Sequence, residues 1–392
     1  MKKSAIALIL VFALCLSACG APAGQSTPTI APTPEPTPEP TPEPTPEPTP
    51  SRAEVILEGM SLTEKICQLM IVRPEALTGV SPVTVAGDTT EAALEQYPVG
   101  GFIYTLDNLV TVEQTVAMID NAQSMSDIPL FISADEEGGN VGRLMYKLGT
   151  TWVNAMYSYK DQGTQVAHDN AYTIGTDMAA CRFNTDFAPV ADVWTNPNNT
   201  VIGDRAYSDD YDQAAELVAA AVRGFHDAGM ICSVKHFPGH GDTDTDTHTG
   251  GAVVNKTVDE LMAGELKPFI SGIEAGADMV MIGHMTVTAL DSEHPASLSR
   301  EVVTGLLREQ LGYDGVVITD SLDMGALSAW TEGERCVLAL EAGIDILLGV
   351  SDIPGAVAAI AAAVESGRLS EADIDASVLR VLELKTQYLG EF

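Results

Sequence analysis

The chain has 392 residues, of which 55 are acidic and 20 basic, for a formal net charge of -35. That imbalance leaves no electrostatic footprint for nucleic acid and gives the body no pull towards anionic membrane surfaces. Six cysteines scattered over this length make neither a disulfide framework nor a Cys-x-x-Cys site.

The N-terminus opens with Met1-Lys2-Lys3 and an apolar run over 5–16, the pattern of a secretory signal peptide and too short for a spanning helix. It ends in Leu16-Ser17-Ala18-Cys19, which resembles the bacterial lipobox. That resemblance implies cleavage before Cys19 and lipidation of the cysteine, hence an extracytoplasmic protein anchored to the cell membrane by acyl chains alone. Four tandem Thr-Pro-Glu-Pro units follow over 33–48. Proline at every second position bars helix and sheet and favours an extended polyproline stalk, with a reach of about 90 Å. The expected division is a signal peptide over 1–18, a lipidated cysteine and linker over 19–51, and a folded body over 52–392. Cys15 falls in the signal, and Cys67, Cys181, Cys232 and Cys336 read as free buried thiols of a domain large enough not to need bridges.

Eight short apolar runs punctuate the body, at 67–72, 100–104, 130–134, 187–193, 230–234, 279–282, 316–319 and 344–348. Segments of helical periodicity separate them, such as 214–228, 258–274 and 370–388. Alternation of this kind predicts an α/β fold, a single (β/α)8 TIM-type barrel, with its chemistry at the strand C-termini. The first run is the weakest, because Ser61-Leu62-Thr63-Glu64 also opens a capped helix.

Charged residues gather where these runs end. The third leads into Asp135-Glu136-Glu137-Gly138-Gly139-Asn140-Val141-Gly142-Arg143, and Gly203-Asp204-Arg205 follows the fourth. The fifth opens on Lys235-His236-Phe237-Pro238-Gly239-His240-Gly241 and continues through Asp242, Asp244 and Asp246 to His248. An EF-hand would need Gly and Glu where Thr247 and Val253 stand, and no His-Glu-x-x-His or cysteine frame marks zinc. Such a density of ionisable groups in one loop therefore points to catalysis, pairing Asp246 with His248. The sixth run leads to His284, expected near the site. The seventh ends in Asp320-Ser321-Leu322-Asp323-Met324.

Together these stretches resemble family 3 glycoside hydrolases, in the β-N-acetylglucosaminidase branch. The resemblance implies Asp320 as nucleophile, His248 as general acid/base with Asp246 as its partner, and Asp135, Arg143, Arg205, Lys235 and His236 as sugar ligands. Glu136, Asn140 and Ser321 depart from the family pattern without touching those positions; Asp323 is the runner-up carboxylate. It also implies no cofactor and no metal. The expected protein is a monomeric exo-acting enzyme that removes terminal β-GlcNAc from muropeptides or chitin-type oligosaccharides through a covalent glycosyl-aspartate. An imidazole repels an incoming anion less than a carboxylate does, so phosphorolysis stays open beside hydrolysis. Two rival functions are a β-glucosidase and a non-catalytic sugar-binding lipoprotein.

Overall fold

Ten strands organise the described residues of this computed structural model, 50–243, 247, 251–390 and 392. In chain order they are β1 (Met70–Val72), β2 (Gly101–Ile103), β3 (Phe131–Ala134), β4 (Thr185–Asp186), β5 (Ile231–Phe237), β6 (Ala252–Val254), β7 (Met279–Ile282), β8 (Met285–Val287), β9 (Val316–Thr319) and β10 (Leu347–Leu348). Eight of them pair in parallel in the order β10-β1-β2-β3-β4-β5-β7-β9. A parallel bridge between Ile318 and Ile346 brings β9 beside the chain entering β10, which nearly closes the ring. The result is the expected (β/α)8 barrel. β6 and β8 form a separate two-stranded parallel sheet that the sequence reading does not anticipate.

β7 is apolar and β9 apolar up to its final Thr319, and both are buried throughout, as parallel strands covered on both faces are. The boundaries differ from expectation where a specific group intervenes. Ser61 and Glu64 form a reciprocal capping box that starts the helix Leu62–Gln68, so Cys67 is helical and β1 begins at Met70. The fourth strand falls before its expected run: β4 is Thr185–Asp186, and the regular ladder stops there, ahead of 187–193. Pro189 has no N–H to give, and the chain then follows β5 through Ser233 N–H to Ala188 O (2.9 Å) and Ala191 N–H to Lys235 O (2.7 Å). The fifth run is longer than expected and carries Lys235 and His236 on the strand itself. The helical segment over 258–274 splits into Val258–Ala263 and Leu266–Glu274. It breaks at Gly264, where a Cβ would lie 2.9 Å from the Tyr211 ring.

Cys67, Cys181, Cys232 and Cys336 are free and buried. Among the described residues no helix is long and apolar enough to cross a membrane. The signal peptide, Cys19, the Thr-Pro-Glu-Pro linker, Asp246 and His248 lie outside the described residues.

Candidate active site

A cavity of about 290 Å³ opens at the C-terminal ends of the barrel strands, bordered by Ile103 at the end of β2, Asp135 after β3, Lys235 and His236 on β5, Asp320 after β9 and Leu348 at β10. Arg143 and Arg205 complete its charged wall. Every described residue assigned a role from sequence therefore meets in one place.

The wall is a network of ions around two buried ones, Lys235 and Glu137. Lys235 Nζ lies 2.8 Å from Asp135 Oδ1 and 2.6 Å from Glu137 Oε1. Arg205 grips Glu137 with both prongs, Nε to Oε2 and Nη2 to Oε1, each at 2.8 Å, and Arg143 Nη2 lies 3.3 Å from Asp135 Oδ2. Burial alone would push the Glu137 carboxyl up, but Arg205 and Lys235 outweigh it and hold it far below the usual range. Burial would likewise drive Lys235 towards neutrality, yet Asp135 and Glu137 keep its ammonium form favoured. Glu137 is the hub here, and the sequence reading gives it no role. Its signal was available: positions 135 and 137 share a face in extended chain, and a buried lysine beside a further cation needs a second anion. Glu136 points elsewhere, accepting from the main-chain N–H groups of Arg143, Leu144 (2.8 Å) and Met145 (3.0 Å), and so fixes the turn that presents Arg143.

Asp192 is the second unassigned residue. Its Oδ2 accepts from His236 Nδ1 at 2.7 Å and its Oδ1 from the His240 N–H at 2.6 Å. Burial raises the Asp192 pKa, but His236 more than compensates and the group stays a carboxylate, which places the His236 proton on Nδ1. His240 is buried and pushed down, first by that burial, and its ring nitrogens meet Thr243 Oγ1 (2.7 Å) and Thr247 Oγ1 (3.3 Å). His240 therefore holds the loop's shape. Thr247 in turn accepts, through its carbonyl, the Ala326 N–H at 3.1 Å.

Asp320 stands where β9 ends, its N–H donating to Ile282 O at 2.8 Å and its Oδ1 accepting the Ser321 N–H at 2.7 Å. Burial raises its pKa, but His236, His284, the Ser321 amide and Lys235 together leave it below the ordinary carboxylate value. His284 is fully enclosed. It bonds Ser297 Oγ (2.7 Å) and gives Nε2–H to Ser321 O (2.9 Å), so it holds the main chain one residue past Asp320. Asp323 also borders the cavity but is tied to Ser321 Oγ (2.8 Å) and Arg73 (3.4 Å).

One group among the described residues could hold a metal: His226, Cys232 and Asp278, with ligand atoms within 4.8 Å of one another. It lies at the N-terminal ends of β5 and β7, at the opposite end of the strands from the cavity, and its members bond one another.

A model of the glycosyl hydrolase family 3 N-terminal domain matches residues 61–384. The chain is 34% identical over 335 residues to the β-hexosaminidase LpqI of Mycobacterium tuberculosis, covering 83% of each. It is 33% identical over 324 residues to β-hexosaminidase A of Pseudoalteromonas piscicida, covering 75% of this chain but only 54% of that protein. Among solved structures, a family 3 β-N-acetylglucosaminidase from Paenibacillus sp. str. FPU-7 superposes with a TM-score of 0.79 at 39% identity, covering 84% of this chain and 63% of that one.

Proposed function

The chain belongs to the family 3 glycosyl hydrolases, and on that premise we propose that it is a retaining exo-β-N-acetylglucosaminidase. The observation that carries the reading is Asp320: an anionic carboxylate at a barrel strand's end, in a cavity walled by Asp135, Arg143, Arg205, Lys235 and His236. Carboxylate and guanidinium groups there suit directional hydrogen bonds to sugar hydroxyls. Asp320 attacks the anomeric carbon as the bond to the leaving oxygen breaks, and His248 delivers the proton that oxygen needs. Water then attacks the glycosyl ester, giving its proton back to His248 and returning Asp320 as a carboxylate. Asp246 orients the His248 ring. The Asp192 carboxylate fixes His236 with Nδ1 protonated, which leaves Nε2 for the sugar. Terminal β-GlcNAc is the sugar removed, in keeping with the names of the relatives, and muropeptides or chitin-type fragments are the proposed substrate class.

Turnover of p-nitrophenyl β-GlcNAc against the β-glucoside, with and without phosphate, tests this. The N-acetylated substrate should be strongly preferred and phosphate should not accelerate it; faster cleavage of the glucoside overturns the specificity. We propose further that residues 1–18 are removed, that Cys19 carries the lipid anchor outside the cytoplasm, and that 19–51 space the enzyme, a monomer over 52–392, from the membrane. Cys19→Ala should move the protein from the membrane to the soluble fraction, and retention in the membrane removes the anchor from that residue.

A further inference from the structure

Two of the most exposed aromatic side chains among the described residues, Tyr146 (49%) and Trp152 (56%), touch each other in a T-shaped pair with ring centroids 5.3 Å apart. Their polar atoms are not what they offer to solvent. Tyr146 Oη donates to Gly139 O at 2.9 Å, and Trp152 Nε1 donates to Asn154 Oδ1 at 3.1 Å. What remains exposed is ring surface, held in a fixed geometry by those two bonds.

The pair adjoins the cavity through the backbone. Gly139 belongs to the turn between Glu137 and Arg143, whose residues Glu137, Val141 and Arg143 border the cavity. Gly139 N–H donates to Val153 O at 2.9 Å, and a Cβ on Gly139 would lie 2.6 Å from Ala155 Cβ, so the segment carrying Trp152 is pressed onto that turn. The cavity wall is charged and fits the hydroxyl-bearing rim of a sugar. A pyranose also has faces of C–H bonds, and these match bare aromatic rings rather than carboxylates.

We propose that Tyr146 and Trp152 form an outer subsite that stacks a pyranose ring of the leaving-group portion of the glycan, beyond the residue held in the cavity. The proposal rests on the glycosidase reading above and deepens it: the preferred substrate is an oligosaccharide long enough to reach the pair. Trp152 supplies ring area to a sugar bound next to the reacting one and makes no contact with the reacting atoms.

The test compares Trp152→Ala and Trp152→Phe with the unaltered full chain on two substrates, p-nitrophenyl β-GlcNAc and the β-1,4-linked GlcNAc tetrasaccharide. Trp152→Ala should lower kcat/KM for the tetrasaccharide roughly tenfold through KM, near the upper end for one aromatic contact. Trp152→Phe should recover most of that, and p-nitrophenyl β-GlcNAc should be unaffected. An unchanged tetrasaccharide kcat/KM in Trp152→Ala overturns the subsite, whereas no turnover of p-nitrophenyl β-GlcNAc by the unaltered chain overturns the glycosidase reading instead. If Trp152→Ala does not fold, tryptophan fluorescence of the Asp320→Asn chain decides. It should shift on adding tetrasaccharide and lose that shift in the further Trp152→Phe variant; no shift overturns the subsite.

Discussion

The Ala326 N–H donates to the Thr247 carbonyl at 3.1 Å, which ties the loop that follows β5 to the segment that follows Asp320. Thr247 is flanked in sequence by Asp246 and His248, and its hydroxyl also meets His240 Nε2 at 3.3 Å. The loop position between the proposed acid/base pair is thus anchored at once to His240, just past β5, and to the segment that follows Asp320.

His248→Ala should therefore reduce turnover of GlcNAc-linked substrates by about 10²–10⁴-fold, the range for losing general acid/base assistance. p-Nitrophenolate leaves without a proton, so the first step on that substrate should suffer less. Deglycosylation then limits, giving a burst of p-nitrophenol and a lowered apparent KM in stopped-flow traces. Asp246→Asn should show a weaker form of the same pattern. Equal losses on both leaving groups, without a burst, remove His248 from the acid/base role.

Glu137→Gln keeps the shape of the hub and deletes its charge, which removes the ionic partner of Arg205's two-pronged contact and leaves Lys235 paired with Asp135. Breaking a buried ion network in this way costs about 3–5 kcal/mol, readable from urea unfolding at pH 7. The pH dependence has a definite sign. Because the folded-state pKa of Glu137 is depressed, its stabilisation is present above the unfolded value of about 4.3 and is lost as pH falls through the lower native one. The gap between the two proteins should narrow at pH 3; a gap that stays constant contradicts the ion-network account.

Lys385 tests the barrel's underside. Its ammonium is fully buried on the helix Glu371–Leu389, with Gln68 Oε1 at 2.8 Å and the Phe131 ring centroid at 4.9 Å, and burial pulls its pKa down to about 7. The unfolded chain holds that proton up to about pH 10.4. Between the two values the unfolded state binds more protons, so stability should rise with pH by up to about 1.4 kcal/mol per unit, and the full penalty applies below pH 7. Lys385→Met should therefore stabilise more at pH 6 than at pH 10. The same unfolding-midpoint shift at both pH values contradicts this.

Much of this was legible because chemistry sits where runs of apolar residues stop. Asp135, Lys235, His236 and Asp320 each follow or end such a run, and the barrel places all strand ends on one rim. The helix at Leu62–Gln68 was legible too, since a capping box is a local signal. What stayed hidden depends on contacts distant in sequence. Asp192 matters because His236 and His240 return to it from β5 and its loop, and Glu137 matters because Arg205 and Lys235 converge on it. The sheet of β6 and β8 pairs strands whose register no local pattern reveals. At the split, Gly264 sits against the Tyr211 ring, on a different helix, where no side chain would fit.

The proposed covalent step is open to direct observation. A slow 5-fluoro GlcNAc glycoside should accumulate one glycosyl adduct on the native protein, seen as a single mass increment, and peptide mapping should place it on Asp320. An adduct on Asp323, or steady turnover with no adduct at all, would contradict the assignment of Asp320 as the nucleophile.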